Sequence, residues 1–188
     1  MSLQYAILGL LNYQPLTGYD LKTVFDKSIN HFWSAQLSQI YRDLGTLEGK
    51  EYVTSHIEPQ EGRPDKKIYS VTEKGQKAFD EWLAKFPQSL GCPVRDEFLV
   101  RIFFGAQLSP VELDFHLKRY IKELKENLQY FTTVETIIAD YAQTLSRPDD
   151  KFYWRLTLKK GHALAEASIR WAEECIKELE EKAKEELR

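Results

Sequence analysis

The sequence predicts a mainly α protein in two parts, with a small two-stranded β wing near the end of the first. Three observations carry this. Residues 36–50, QLSQIYRDLGTLEGK, set apolar side chains at helical spacing and run directly into YVTSHIE, a polar turn PQEGRPDKK and a returning IYSVTEKG. Pro87, Gly91 and Pro93 punctuate the middle of the chain. Beyond them Leu117, Leu124, Phe131, Ile138 and Leu145 recur every seven residues, the period of a long helical seam.

Residues 2–13 read as a first helix with Leu3, Ala6, Ile7, Leu10 and Leu11 on one face. The apolar run Tyr5–Leu11 has no basic residue before it and no small-residue cleavage site after it. It is also too short to span a bilayer, so it reads as a core face and no membrane is expected as partner. Pro15 breaks this helix. Thr17 with Asp20 three residues on gives a capping-box-like start to a second helix, Gly18–Lys27. Ser28–Trp33 ends it and carries an aromatic pair, Phe32 and Trp33. A third helix is expected from Ser34, with Leu37, Ile40, Tyr41, Leu44 and Leu47 as its apolar stripe. Gln36, Ser38, Gln39, Arg42 and Thr46 lie off that stripe. Two strands follow around the turn Gly62-Arg63-Pro64-Asp65, and Thr72 opens a fourth helix reaching about Phe86.

The second part reads as entirely helical. Val94–Phe104 is one helix, and Ser109-Pro110-Val111-Glu112 is a capping box with proline at the first helical position. The seam helix follows, with Ile121, Leu128 and Ala142 four residues after three of its heptad positions. Residues 146–150 break it, and a last helix covers roughly Phe152–Leu187. A helix of this length extends for about 55 Å, more than a domain of this size covers by itself. The seam residues Leu117, Leu124, Phe131, Ile138 and Leu145 are therefore expected at a dimer interface as well as against the last helix. The division is residues 1–88 and 94–188, the second an antiparallel helical dimerisation domain.

Composition narrows the function. Hydrophobic residues are 43% and charged residues 29% of the 188, which is ordinary folded composition, and the net charge of -3 announces no global field for a polyanion. The two cysteines, Cys92 and Cys175, form no spaced pair, which fits a reduced, cytoplasmic compartment. Glu112/His116 and His162/Glu166 lie one helical turn apart, as metal ligands can, but no third ligand is in view. No phosphate loop, dinucleotide fingerprint or nucleophile elbow is present. Neither catalysis nor a cofactor nor a metal is expected.

A third helix followed by a basic ribbon is how a winged helix-turn-helix holds DNA, with the helix in the major groove. Gln39 and Arg42 carry side chains that can pair with base edges. Residues 1–75 nevertheless hold eight Lys/Arg against nine Asp/Glu. Affinity from counterion release scales with phosphate contacts, so duplex DNA as partner calls for a homodimer. Two other classes remain open. One is a dimeric ligand- or protein-binding module that keeps the winged helix as scaffold without operator binding. The other is an enzyme using the His/Glu pairs. Phe32, Trp33, Trp154 and Trp171 could line a pocket for a small aromatic effector, or serve simply as core.

The segments AILGLL, PLTGYDLK, SQIYRDLGTLE after an FW pair, GRPDKKIYSVTEKG, DEFLVRIFF and LTLKKGHALAEASIRW resemble the PadR-like transcriptional regulators. More narrowly they are similar to the branch whose C-terminal half is like that of the virulence activator AphA. The resemblance implies a homodimeric regulator of a family whose wider members include repressors, some released by an aromatic effector. The expectation is a repressor of a near-palindromic operator, with activation left open. It implies that Ser38, Gln39, Tyr41 and Arg42 lie in the recognition helix, with Tyr41 against the DNA backbone. Arg63, Lys66, Lys67 and Tyr69 would lie in the wing, and Thr17, Gly18 and Tyr19 would open the preceding helix. One departure stands out: Glu51 replaces the glycine usual just after the recognition helix. Either Gly49 supplies the left-handed cap, or Glu51 adopts it at some strain.

Overall fold

The structure, a computed structural model, describes residues 2–62, 64–91, 95–145 and 149–186. The chain divides into two compact units, Met1–Gly91 and Cys92–Arg188. Unit 1 runs α1 (Ser2–Leu11), β1 (Leu16–Thr17), α2 (Gly18–Lys27), α3 (Leu37–Gly49), β2 (Val53–Glu58), β3 (Lys66–Val71) and α4 (Glu73–Ala84). Unit 2 contains α5 (Glu97–Phe103), a 3-10 turn at Gly105–Gln107, α6 (Pro110–Thr144) and α7 (Asp150–Glu186).

The expected two-stranded wing is part of a three-stranded antiparallel sheet in the order β1-β3-β2. Leu16 and Thr17 pair with Tyr69 and Ile68, which ties the start of α2 to the wing. A strand of two residues has no alternation to detect. The third helix begins at Leu37 rather than Ser34, because Gln36 is extended and Ala35 is already buried in the core. Helix α5 starts after Asp96, whose side chain accepts a hydrogen bond from the Leu99 amide; Val94 lies outside the described residues.

The core of unit 1 joins Ile7 and Leu8 of α1, Leu21 and Phe25 of α2, Ile40, Leu44 and Leu47 of α3, and Val53 and Tyr69 of the sheet. Helix α4 closes it through Phe79, while Trp82 stacks on Tyr5 at 4.7 Å between ring centroids. Gly75 is required there, since a β-carbon would sit 2.0 Å from the Tyr52 carbonyl oxygen.

The α3 C-terminus settles the question of Glu51, which adopts φ +62. Its amide donates to the Glu48 carbonyl and the Tyr52 amide to the Leu47 carbonyl, both at 2.9 Å, the paired bonds of a left-handed helix cap. A β-carbon in that conformation costs roughly 1–2 kcal/mol. The Lys74 ammonium, 2.8 Å from the Glu51 carboxylate, is exposed and offsets little of it. Glu51→Gly is therefore expected to raise the thermal midpoint by a few degrees, read by circular dichroism. An unchanged or lower midpoint would mean that the Lys74 pair outweighs the backbone strain.

In unit 2, α6 and α7 form an antiparallel hairpin. Leu117 and Ile121 pack near Ile169 and Ala172, and further along Phe131, Val134 and Ile138 pack near Leu158. The ion pair Arg155–Glu135 at 2.9 Å spans the two helices. Leu117, Phe131 and Ile138, expected at a dimer interface, are thus buried within their own chain, and Leu124 and Leu145 are half-buried. Helix α7 runs antiparallel to α6 and takes up much of the seam. The seam period is real, and Leu117, Phe131 and Ile138 take the half of the expectation that packs them on α7.

Candidate nucleic-acid interface

The surface that could meet DNA is built from three adjoining pieces of unit 1. The first is the α2 N-terminus. The Asp20 amide donates to Thr17 Oγ1 at 3.0 Å and the Thr17 amide to the Asp20 carboxylate at 3.3 Å, so Thr17 is spent on capping. Tyr19 is 68% exposed beside it. Gly18 lies directly under the exposed Tyr41 ring, where a β-carbon would come within 2.4 Å of a ring carbon. Tyr41 is therefore an outward side chain braced on α2, not a member of the core stripe.

The second piece is α3. Ser38, Tyr41, Arg42 and Thr46 are exposed on one face, and Ile40, Leu44 and Leu47 are buried on the other. Gln39 is half-buried and its Oε1 accepts from the Gln36 amide at 2.9 Å, so this side chain holds the helix start. Asp43 would repel a phosphate, but it accepts from Gln4 Nε2 of α1 at 2.8 Å. Arg42 makes no ion pair among the described residues.

The third piece is the ribbon of β2 and β3. Gly62 has φ +70, and Asp65 accepts from the Gln60 amide at 3.2 Å to close the turn. Arg63 lies outside the described residues. Lys66 is exposed on the outer face. Tyr69 is a correction: with 4% exposure it belongs to the core and not to a DNA-facing surface. The pairing of Ser55 with Tyr69 and Ile57 with Lys67 sets Ser55, Lys67 and Tyr69 on one face, the face towards α3. Lys67 Nζ there donates to Glu48 at 2.9 Å and lies 5.0 Å from the Tyr69 ring centroid. The Ser55 hydroxyl also donates to Glu48. The Ser55 bond, and then the Lys67 bond, hold the Glu48 carboxyl below its ordinary range, and the Glu48 bond pushes the Lys67 ammonium up. Sequence reading missed Glu48 and Ser55, since nothing in a linear pattern reports a contact among three elements.

The four aromatic residues considered for an effector do not form one group. Phe32 and Trp33 are exposed in unit 1. Trp154 meets Tyr141, whereas Trp171 meets Phe98 and Tyr120, and the two are about 25 Å apart along α7. Unit 2 has a cavity of about 850 Å³ lined by Phe98, Ile102, Leu113, His116, Arg119 and Tyr120 among others. Trp171 touches Phe98 and Tyr120, which line it. Glu112, half of a considered metal pair, is spent on the Ser109 cap, and His162 lies against Phe131. Among the described residues no three His, Cys, Asp or Glu side chains gather as a metal site, and no helix is long and apolar enough to cross a membrane.

Comparison with known proteins shows the family. The PadR-like transcriptional regulator family matches residues 7–81, and the family described as virulence activator alpha C-term matches residues 94–180. The chain belongs to the PadR-like family of transcriptional regulators, in the branch with the AphA-type C-terminal half. The negative transcriptional regulator PadR of Bacillus subtilis is 30% identical over 93% of this chain and 95% of its own length. The crystal structure of that protein with operator DNA superposes with a TM-score of 0.79 at 28% identity, covering 95% of this chain and 99% of the other. Its complex with p-coumaric acid gives 0.71 at 28% identity, covering 96% and 99%. The Vibrio cholerae virulence activator AphA gives 0.73 at 28% identity, also covering 96% and 99%.

Proposed function

We propose that this regulator is a homodimeric repressor that binds a near-palindromic operator in the cytoplasm and releases it when a small aromatic effector binds. The observation that carries the reading is the exposed face of α3, with Tyr41 braced on Gly18 and Arg42 unpaired among the described residues, beside a lysine-bearing wing. Tyr41 contacts the phosphate backbone, Arg42 reads a base edge, and Ser38, Tyr19 and Lys66 lie within the same footprint. Lys67 and Gln39 support that surface from within.

One protomer offers few phosphate contacts, so tight binding needs two. The dimer contact falls on the apolar side chains that unit 2 leaves in solvent, such as Phe103 and Val111, exposed by 82% and 78%, and Phe115. The effector site is the cavity beside Phe98 and Tyr120. Its volume suits a drug-sized ligand, and His116 and Arg119 offer hydrogen bonds to an acid. The complex of PadR with p-coumaric acid supports an aromatic acid as the class.

The test is salt-dependent binding of the full chain to duplexes from the DNA upstream of its own gene, with and without p-coumaric acid. Expected are a steep fall in affinity with salt and a weaker complex with the acid. By linkage, operator DNA then weakens acid binding by the same factor. Binding that ignores both sequence and salt would sink the reading and favour a winged helix kept as scaffold.

A further inference from the structure

Glu48 stands where an acid is least welcome. It lies in the last turn of α3, where the helix dipole disfavours a negative charge, on a helix that is to face a polyanion. Yet its two carboxylate oxygens are both used, one by Ser55 of β2 and the other by Lys67 of β3. Three separate elements meet at one side chain. The Lys67 ammonium lies over the ring of Tyr69, which is itself fixed in the core, and donates to Glu48 of α3.

We propose that Glu48 is a positioning residue: it clamps the wing to the recognition helix at a fixed angle and keeps Lys67 out of the set of side chains that grip phosphate. This rests on the DNA-binding reading above. A wing held at one angle can touch the backbone only when α3 sits in the groove at the matching register. Grip then depends on correct reading, and the clamp sharpens specificity. A wing released from Glu48 gains a mobile cation that pairs with any phosphate. Binding to every sequence becomes easier and discrimination falls. The bland alternative is an exposed ion pair of the kind that contributes little, with Glu48 and Lys67 each about two-fifths exposed.

The experiment uses the full-length chain, wild type and the variants Glu48→Gln, Lys67→Gln and the two combined. Each is titrated against a duplex selected by the wild type from random sequence and against a scrambled duplex, at several salt concentrations. Glu48→Gln is expected to cut the ratio of operator to scrambled affinity at least fivefold. It should also steepen the salt slope on scrambled DNA by about 1 per protomer as Lys67 reaches a phosphate. Lys67→Gln should cut the ratio equally but leave the slope at the wild-type value, and the double variant should match Lys67→Gln. The clamp is overturned if Glu48→Gln leaves both ratio and slope unchanged. It is also overturned if Lys67→Gln alone flattens the slope by about 1 per protomer, which would mean that Lys67 already holds a phosphate. A wild type that shows no preference for any duplex removes the DNA-binding reading itself, an outcome distinct from a discriminating wild type with indifferent variants.

Discussion

Arg42→Ala is expected to cost about 1–3 kcal/mol of binding on the operator and much less on scrambled DNA. Arg42 is exposed at the middle of the outward face of α3, and no carboxylate competes for its guanidinium among the described residues. A side chain so placed can make the two-pronged contact to a guanine edge that carries sequence information. Lys66→Ala should behave differently. In the proposed footprint it would meet only phosphate from the outer face of the ribbon, so binding to all sequences should weaken alike, with the salt slope reduced by about 1 per protomer. Gln39→Ala, which by sequence alone resembles Arg42→Ala, should instead lower stability, because Gln39 closes the α3 N-terminus. Titration on both duplexes at several salt concentrations, with a thermal melt of each variant, separates the three roles. Altered sequence preference in Lys66→Ala with none in Arg42→Ala would mean that helix and wing have exchanged tasks.

These roles divide along the line between what local sequence can and cannot report. Helix α2 is legible to the residue, because Thr17 and Asp20 form a capping box that depends on nothing beyond four residues. The start of α6 at Pro110 is legible for the same reason. The heptads between Leu117 and Leu145 announce a buried stripe, but a stripe does not name its partner. A second chain and the returning α7 satisfy it equally, and only the fold-back decides. Tyr69 is a milder case. Alternation along β3 sets it on the same face as Val71 and Lys67, and the pairing of its neighbours with β2 turns that face inward. At Glu51 the sequence leaves two caps open, and the backbone selects the strained one. The Glu48 clamp was invisible because its members come from three elements up to 19 residues apart.

Much of the seam is buried within the hairpin, so the proposed dimer calls for further apolar surface, and the second large expected effect follows from where that surface lies. Phe103→Asp combined with Phe115→Asp should convert the full-length chain from dimer to monomer in sedimentation while leaving its helix content and melting intact. Both side chains are already in solvent in the single chain, by 82% and 62%, so charge there costs the monomer little. In an interface the same two carboxylates would be buried without partners, at a cost of several kcal/mol each. Operator affinity should fall on the order of a hundredfold or more, because the two half-sites lose the advantage of a linked second binding event. Phe131→Asp is the control, since Phe131 is 8% exposed and packs beside His162 of α7. That variant should lose the hairpin itself, seen as lost helix signal and a collapsed midpoint. Should the Phe103 and Phe115 variant remain dimeric, unit 2 associates through another surface. The apolar face Phe152, Tyr153 and Leu156 at the start of α7 is then the next to be charged, because it is a second cluster of large apolar side chains exposed at helical spacing among the described residues of this unit.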